Sequence, residues 1–192
     1  MNIRGRFTGF HEIIQSHFAR QRLLSLGLDP DKPLVILSPG AAYGPAKRWP
    51  ADRFAQLAAL FQIERKAEIL VIGSASEADI AESIRAAMDR KPHILTGQTT
   101  LLQLLGLISL ATLFISNDTG PMHLANALRV PVVGIFGPTD PAVTGPFEQP
   151  SLVVKHEVPC WPCTYRQCPY DHRCMKTIPV EEVFRAGESL WR

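Results

Sequence analysis

Short apolar runs that alternate with helix-like segments constrain the fold of this chain more than any other feature of its sequence. Runs such as 34–37 and 132–136 are continuously apolar, which is typical of strands buried on both faces of a parallel sheet. Between the runs, apolar residues recur at the three- and four-residue spacing of a helix. The connections are short. The pattern therefore predicts an α/β fold, a Rossmann-like parallel sheet with helices on both faces.

The same pattern places the elements along the chain. Strands are predicted at 34–37, 69–72, 93–95, 113–115, 132–136 and 152–154. Helices are predicted at 10–26, 52–65, 76–88, 100–109, 121–128 and 180–191. We interpret residues 1–33 as an N-terminal helix and linker. Residues 34–192 form one predicted domain, with a Cys-rich loop at 156–176 and a helix at its end.

Composition narrows the functional classes. The formal net charge is +2 and no run of Lys or Arg forms a basic stripe, so nucleic-acid binding is not expected. No apolar stretch reaches the roughly 20 residues that are needed to cross a bilayer. The first six residues lack the pattern of a secretory signal. We therefore expect a soluble cytoplasmic protein.

The loop at 38–50 is the first candidate site, because ligands of parallel α/β sheets bind at the carboxyl ends of the strands. It follows the first strand and carries Lys47 and Arg48 beside the start of a helix. Small residues let a ligand approach the backbone, and the free N–H groups of a helix start attract anions. Gly40 and Gly44 do not have the spacing of a P-loop or of a dinucleotide fingerprint. The loop predicts a phosphate site, with a structured turn as the alternative.

A second polar loop, residues 116–125, follows the strand at 113–115 and opens a helix. Asp118 or Thr119 can cap that helix, and Pro121 suits its first turn. His123 lies four residues after Thr119, a spacing that can place both on one side of the turn. One interpretation is a capped helix with a buried histidine. Asp, Thr and His gathered at one strand end favour the other interpretation, a site for a diphosphate or for sugar hydroxyls.

All four cysteines lie in one short segment: Cys160, Cys163, Cys168 and Cys174. Four thiols so close in sequence can form an all-thiolate structural zinc site. Their spacing is not that of two Cys-x2-Cys knuckles. Stable disulfides are disfavoured in a reducing cytoplasm. The alternative is a loop of reduced cysteines packed with nearby aromatic residues.

Several segments together resemble glycosyltransferase family 9, the heptosyltransferases. They are Gly-Pro-Ala-Lys-Arg-Trp-Pro at 44–50, Ser-Asn-Asp-Thr-Gly-Pro-Met-His-Leu-Ala at 116–125, the segment 132–141 and the Cys-rich stretch at 160–175. The resemblance implies the C-terminal, donor-binding domain of a GT-B glycosyltransferase. It implies ADP-heptose or a related nucleotide sugar as the donor and the lipopolysaccharide inner core as the acceptor. A peripheral contact with the inner membrane is compatible with such an acceptor.

The resemblance also implies roles for individual residues. Lys47 would neutralise the diphosphate, and Asp118 would hold hydroxyls of the heptose. The amides of Thr119 and Gly120 would meet phosphate, with His123 beside them. The implied donor site is completed by Ser38, Met122, Glu77 and Thr99, of which the last two would face the adenosine. No Asp-x-Asp pair follows these strands, so no divalent ion or other cofactor is expected to be required.

The acceptor-binding domain of the family, which supplies the catalytic base, has no recognisable counterpart in this sequence. We therefore expect the chain to bind its donor without turnover and to self-associate through uncovered apolar surface. A non-catalytic nucleotide-sugar-binding module and the remnant of a split gene share every motif. An epimerase of similar architecture fits the motif at 116–125 less well.

Overall fold

A computed structural model describes residues 17–191 of the chain. One sheet of six parallel strands forms the centre, in the order β3-β2-β1-β4-β5-β6. The strands are β1 (Leu34–Ser38), β2 (Glu68–Val71), β3 (His93–Ile94), β4 (Leu113–Asn117), β5 (Val132–Phe136) and β6 (Ser151–Lys155). The predicted α/β class with a Rossmann-like parallel sheet is confirmed.

Eight α-helices lie among residues 17–191. They are α1 (His17–Ser25), α2 (Ala51–Glu64), α3 (Ala78–Ala86), α4 (Leu101–Ser109), α5 (Gly120–Ala127), α6 (Pro141–Thr144), α7 (Arg173–Lys176) and α8 (Val180–Leu190). Two 3-10 turns, Pro45–Lys47 and Ala75–Glu77, precede α2 and α3. Within the described part of the chain, no helix combines the length and apolar character required to span a bilayer.

Every residue of β1, β4 and β5 is buried, which accounts for the continuously apolar runs in the sequence. Successive strand side chains point to opposite faces of the sheet. Val35 and Leu37 therefore join a core beneath α2, α3 and α8, whereas Ile36 joins a second core beneath α1, α4 and α5. The predicted helices on both faces are confirmed.

The ends of the elements differ from the predicted ones for local reasons. The predicted helix at 76–88 begins as a 3-10 turn, because the Glu77 carboxylate folds back to the Ser74 backbone in a capping box. The strand predicted at 113–115 continues to Asn117, so two polar residues are part of the sheet. Of the helix predicted at 10–26, residues 10–16 lie outside the described residues.

Candidate functional site

The strand order creates a crevice between β1 and β4. The chain continues from β1 to β2 on one side and from β4 to β5 on the other, so the loops after these two strands diverge. Such a topological switch point is where open α/β sheets bind ligands. The two polar loops that the sequence analysis selected follow β1 and β4, and the fold brings them together.

Lys47 and Asp118 form a buried ion pair at this point. The Lys47 Nζ lies 2.5 Å from Asp118 Oδ2, and the side chains are only 11% and 6% exposed. The same ammonium group lies 5.0 Å from the centre of the Tyr43 ring. The family resemblance implies separate roles for Lys47 and Asp118 toward a ligand. In the structure each is also the other's counter-ion, which satisfies two charges that would be costly to bury alone.

Asn117 joins the two loops and is a residue that sequence reasoning missed. Its amide nitrogen donates to the carbonyls of Pro39 and Gly40 at 2.7 and 3.3 Å. Its side-chain oxygen accepts the backbone N–H of Trp49 at 3.1 Å. An amide can donate and accept at once, so one fully buried side chain holds both ends of the loop that carries Lys47. The only sequence signal was a polar residue at the end of an apolar strand.

Glu77 is brought against the loop after β1. Its carboxylate accepts hydrogen bonds from the Ser74 N–H and hydroxyl at 2.7 and 2.8 Å. A Cβ placed on Gly40 would lie 1.9 Å from Glu77 Oε1, so the absence of a side chain at Gly40 allows this approach. Thr99 is half-buried in the loop between β3 and α4. Thr99 follows β3. Because β3 lies two strands from β1 in the sheet, the two strands are about 10 Å apart.

The start of α5 is open rather than capped by a side chain. Thr119 is the N-cap residue, but its side chain makes no capping hydrogen bond. The predicted cap by Asp118 or Thr119 is therefore wrong, because the Asp118 carboxylate is turned to Lys47. A Cβ on Gly120 would meet nothing within 4 Å, so this first turn borders open space. Its free N–H groups suit an anion.

The remaining predicted residues divide between the core and the rim. Ser38 is buried at the end of β1, opposite Ser116 of β4. The Met122 side chain is fully buried in the core beneath α5, which leaves it no surface for a ligand. His123 is half-buried on the same helix, so the alternative of a buried histidine is not what the structure shows.

The Cys-rich segment, residues 156–176, packs on the loop after β1. Ala46 donates its N–H to the Arg166 carbonyl at 3.0 Å, and its own carbonyl lies 2.7 Å from His172 Nε2. The Tyr43 hydroxyl donates to the Thr164 carbonyl at 2.6 Å. These contacts fix the loop that carries Lys47 in addition to those made by Asn117.

All four cysteines are free and line one small cavity. Among residues 17–191, no group of three or more His, Cys, Asp or Glu side chains is placed to hold a metal ion. Tyr165 and Tyr170 line the same cavity, although each side chain is at least half exposed. The structure thus lends the zinc site no support. It stays a prediction, which metal analysis of the purified chain would test.

Cys174 should be the least reactive thiol near neutral pH. Burial, assisted by the neighbouring cysteines, raises the pKa of Cys174 from 9.0 to about 11, so the reactive thiolate is scarce there. Cys160 is exposed and should react first. Timed alkylation with iodoacetamide, read by mass spectrometry, checks this order. Equal rates at the two cysteines would contradict it.

The same pKa predicts a loss of stability in alkali. The folded chain holds the Cys174 proton more tightly than the unfolded chain does. The resulting stabilisation is fully present below about pH 9 and is lost as the pH rises to about 11. Denaturant unfolding across this window should show a decline that is smaller in Cys174→Ala. An equal decline in the variant would exclude this thiol as its source.

Comparisons with known proteins show the family to which the chain belongs. Residues 12–173 match the model of a family described as glycosyltransferase family 9 (heptosyltransferase). Lipooligosaccharide heptosyltransferase 2 of Campylobacter jejuni serotype O:2 is 34% identical over 191 residues, covering 92% of this chain and 59% of the relative. The solved E. coli ADP-heptose lipopolysaccharide heptosyltransferase II superposes with a TM-score of 0.79 at 28% identity, over 91% of this chain and 51% of that one.

The fold and the switch-point site define the class: a Rossmann-like α/β domain of the kind found in GT-B glycosyltransferases. Within that class, the chain belongs to glycosyltransferase family 9. It spans 59% of the Campylobacter relative. A UDP-GlcNAc 2-epimerase from Methanocaldococcus jannaschii shares the fold, with a TM-score of 0.57, 14% identity and coverage of 90% of this chain and 42% of that one. Fold alone therefore does not assign the chain to either family, whereas the family model over residues 12–173 does.

Proposed function

We propose that this chain binds ADP-heptose at the switch point between β1 and β4. We further propose that, completed by an acceptor-binding half, it transfers heptose to the inner core of lipopolysaccharide. The buried pair of Lys47 and Asp118 beside the open start of α5 is the observation that carries the proposal. It offers a cation and free N–H groups for a diphosphate, and a carboxylate for sugar hydroxyls.

Lys47 keeps hydrogen-bond donors for a ligand although it is paired with Asp118. An ammonium group has three donors, and one of those of Lys47 reaches Asp118. The others remain for a phosphate oxygen. During transfer, negative charge develops on the departing diphosphate, so a fixed ammonium group and helix N–H groups stabilise the transition state. These groups supply the stabilisation without a divalent ion.

Exposed apolar residues around this edge support a second half that covers it. Val143, which lies on α6 after β5, is 82% exposed. Leu101 and Leu102, which follow β3, are also exposed. Segments that directly follow parallel strands lie at the same edge of the sheet, so these side chains lie at the edge that holds the proposed donor site. Apolar surface of this kind is typical of an interface, either with an acceptor-binding half or with a second copy of the chain.

Isothermal titration calorimetry with ADP, UDP and GDP tests the proposal. We expect ADP to bind more tightly than the other two, and ADP-heptose to bind more tightly than ADP because Asp118 adds contacts to the sugar. Adenosine is the control for the contribution of the diphosphate. Tighter binding of UDP or GDP would overturn the assignment of an adenine nucleotide. No binding of any of them would overturn the donor site itself.

A further inference from the structure

We infer that Thr139 and Thr144 are positioning residues that hold Asp118 so that one carboxylate oxygen faces the donor sugar. The inference rests on the proposed function and adds two residues to it. Thr139 lies in the loop between β5 and α6, and Thr144 is the last residue of α6. Neither belongs to the two loops that were predicted to form the site. In the structure their hydroxyls converge on the carboxylate at the end of β4.

Three donors reach the same oxygen of Asp118. Lys47 Nζ lies 2.5 Å from Oδ2, Thr139 Oγ1 lies 2.7 Å from it, and Thr144 Oγ1 lies 3.1 Å from it. A carboxylate oxygen has two lone pairs, so Oδ2 is saturated by these neighbours. Its orientation is therefore set by three separate elements of the chain, the loops after β1 and β5 and the end of α6.

The other oxygen, Oδ1, has no hydrogen-bond donor among the described residues. Among the described residues, Arg48 Nε is the only side-chain nitrogen or oxygen that is both buried and unpaired. Since Oδ1 is unpaired, it is not a buried atom and can be reached from outside. Asp118 as a residue is only 7% exposed, but the next residue, Thr119, is half-buried and Gly120 is exposed. A single oriented acceptor at the rim of a buried carboxylate suits a sugar hydroxyl, which can donate one hydrogen bond.

The loop that carries the threonines is built to keep them in place. Asp140 caps the short helix α6 through a hydrogen bond of 2.9 Å from Ala142 N to its Oδ1. Gly145 donates its N–H to the Pro141 carbonyl at 2.8 Å. A Cβ on Gly145 would lie 2.4 Å from that carbonyl oxygen, so a glycine is needed to close the turn under Thr144.

The Cys-rich segment fixes the first half of the same loop. Cys163 donates its N–H to the Pro138 carbonyl at 2.8 Å, and Trp161 Nε1 lies 3.4 Å from the Thr139 carbonyl. Thr139 and Thr144 are each only half-buried. Replacing either hydroxyl by a methyl group should therefore leave the fold intact while freeing the carboxylate to rotate.

The test compares ADP with ADP-heptose in Thr139→Val, Thr144→Val and the double variant, measured by calorimetry on the full chain. We expect the preference for ADP-heptose over ADP to fall about three- to tenfold in each single variant and further in the double variant. The affinity for ADP itself should change less than about twofold, since Lys47 and the start of α5 are untouched. Thr139→Ser and Thr144→Ser keep the hydroxyl and should restore the preference.

The outcomes separate this inference from the proposed function. Thr112→Val is the matched control, because Thr112 Oγ1 accepts the Leu34 N–H at 3.1 Å at the opposite edge of the sheet. If the valine variants keep the preference, or weaken ADP and ADP-heptose equally, the positioning role is overturned and the donor site stands. If the unaltered chain binds both ligands equally, the sugar contact of Asp118 is overturned. If it binds neither, the proposed function fails and the inference with it.

Discussion

The 192-residue chain should bind ADP-heptose without transferring heptose to an acceptor lipid. Transfer requires a base, an acceptor hydroxyl and the anomeric carbon in near-attack geometry. Three carboxylates near the site already have structural partners, and the remaining oxygen of Asp118 is assigned to the donor sugar. Asp118 pairs with Lys47, Glu77 binds Ser74, and Asp140 caps α6. A radiolabelled heptose-transfer assay with inner-core acceptor is expected to show no product above background.

Supplying an acceptor-binding half should restore transfer. The part of Campylobacter heptosyltransferase 2 that lies outside the region matched by this chain can be fused to it or added in trans. We expect turnover to rise from background to a measurable rate when the two halves dock. A fusion that carries Lys47→Met is the control and should stay inactive. Robust turnover by the 192-residue chain alone would contradict the prediction, and His123 would then be the first candidate base.

Lys47→Met should lower the affinity for ADP by about 1.5–3 kcal/mol, the range for a hydrogen bond to a charged group. Binding of adenosine, which has no diphosphate, should barely change. The same variant should also lower the free energy of unfolding by about 3 kcal/mol, because it leaves the buried Asp118 carboxylate without its cation. The two hydroxyl donors that remain on Asp118 should keep the loss near the lower end of the range for such pairs.

A double variant separates these two effects. Lys47→Met with Asp118→Asn removes both charges and should recover most of the stability, because no unpaired charge stays buried. It should still bind ADP as weakly as the single variant, since the ammonium group is absent. Calorimetry and denaturant unfolding measure the two quantities independently. Recovery of ADP binding in the double variant would mean that Lys47 acts only as a counter-ion to Asp118.

The local elements of this fold follow from short-range sequence patterns. β5 is predicted at the bounds that the structure shows, because Pro131 and Gly137 delimit its apolar run on both sides. Thr100 and Gln103 form a capping box at the start of α4, close to the predicted helix start at 100. The ends of helices were less predictable where a side chain folds back on the backbone, as that of Glu77 does before α3.

By itself, the sequence determined the α/β class, the two loops that flank the site and the charged residues in them. It determined these because strand burial, helix periodicity and turn residues act over a few neighbouring positions. Only the tertiary structure decided that Lys47 and Asp118, which are 71 residues apart, form one ion pair. It likewise decided that Thr139 and Thr144 complete the site. Such contacts depend on the strand order, which long-range packing fixes and local patterns do not encode.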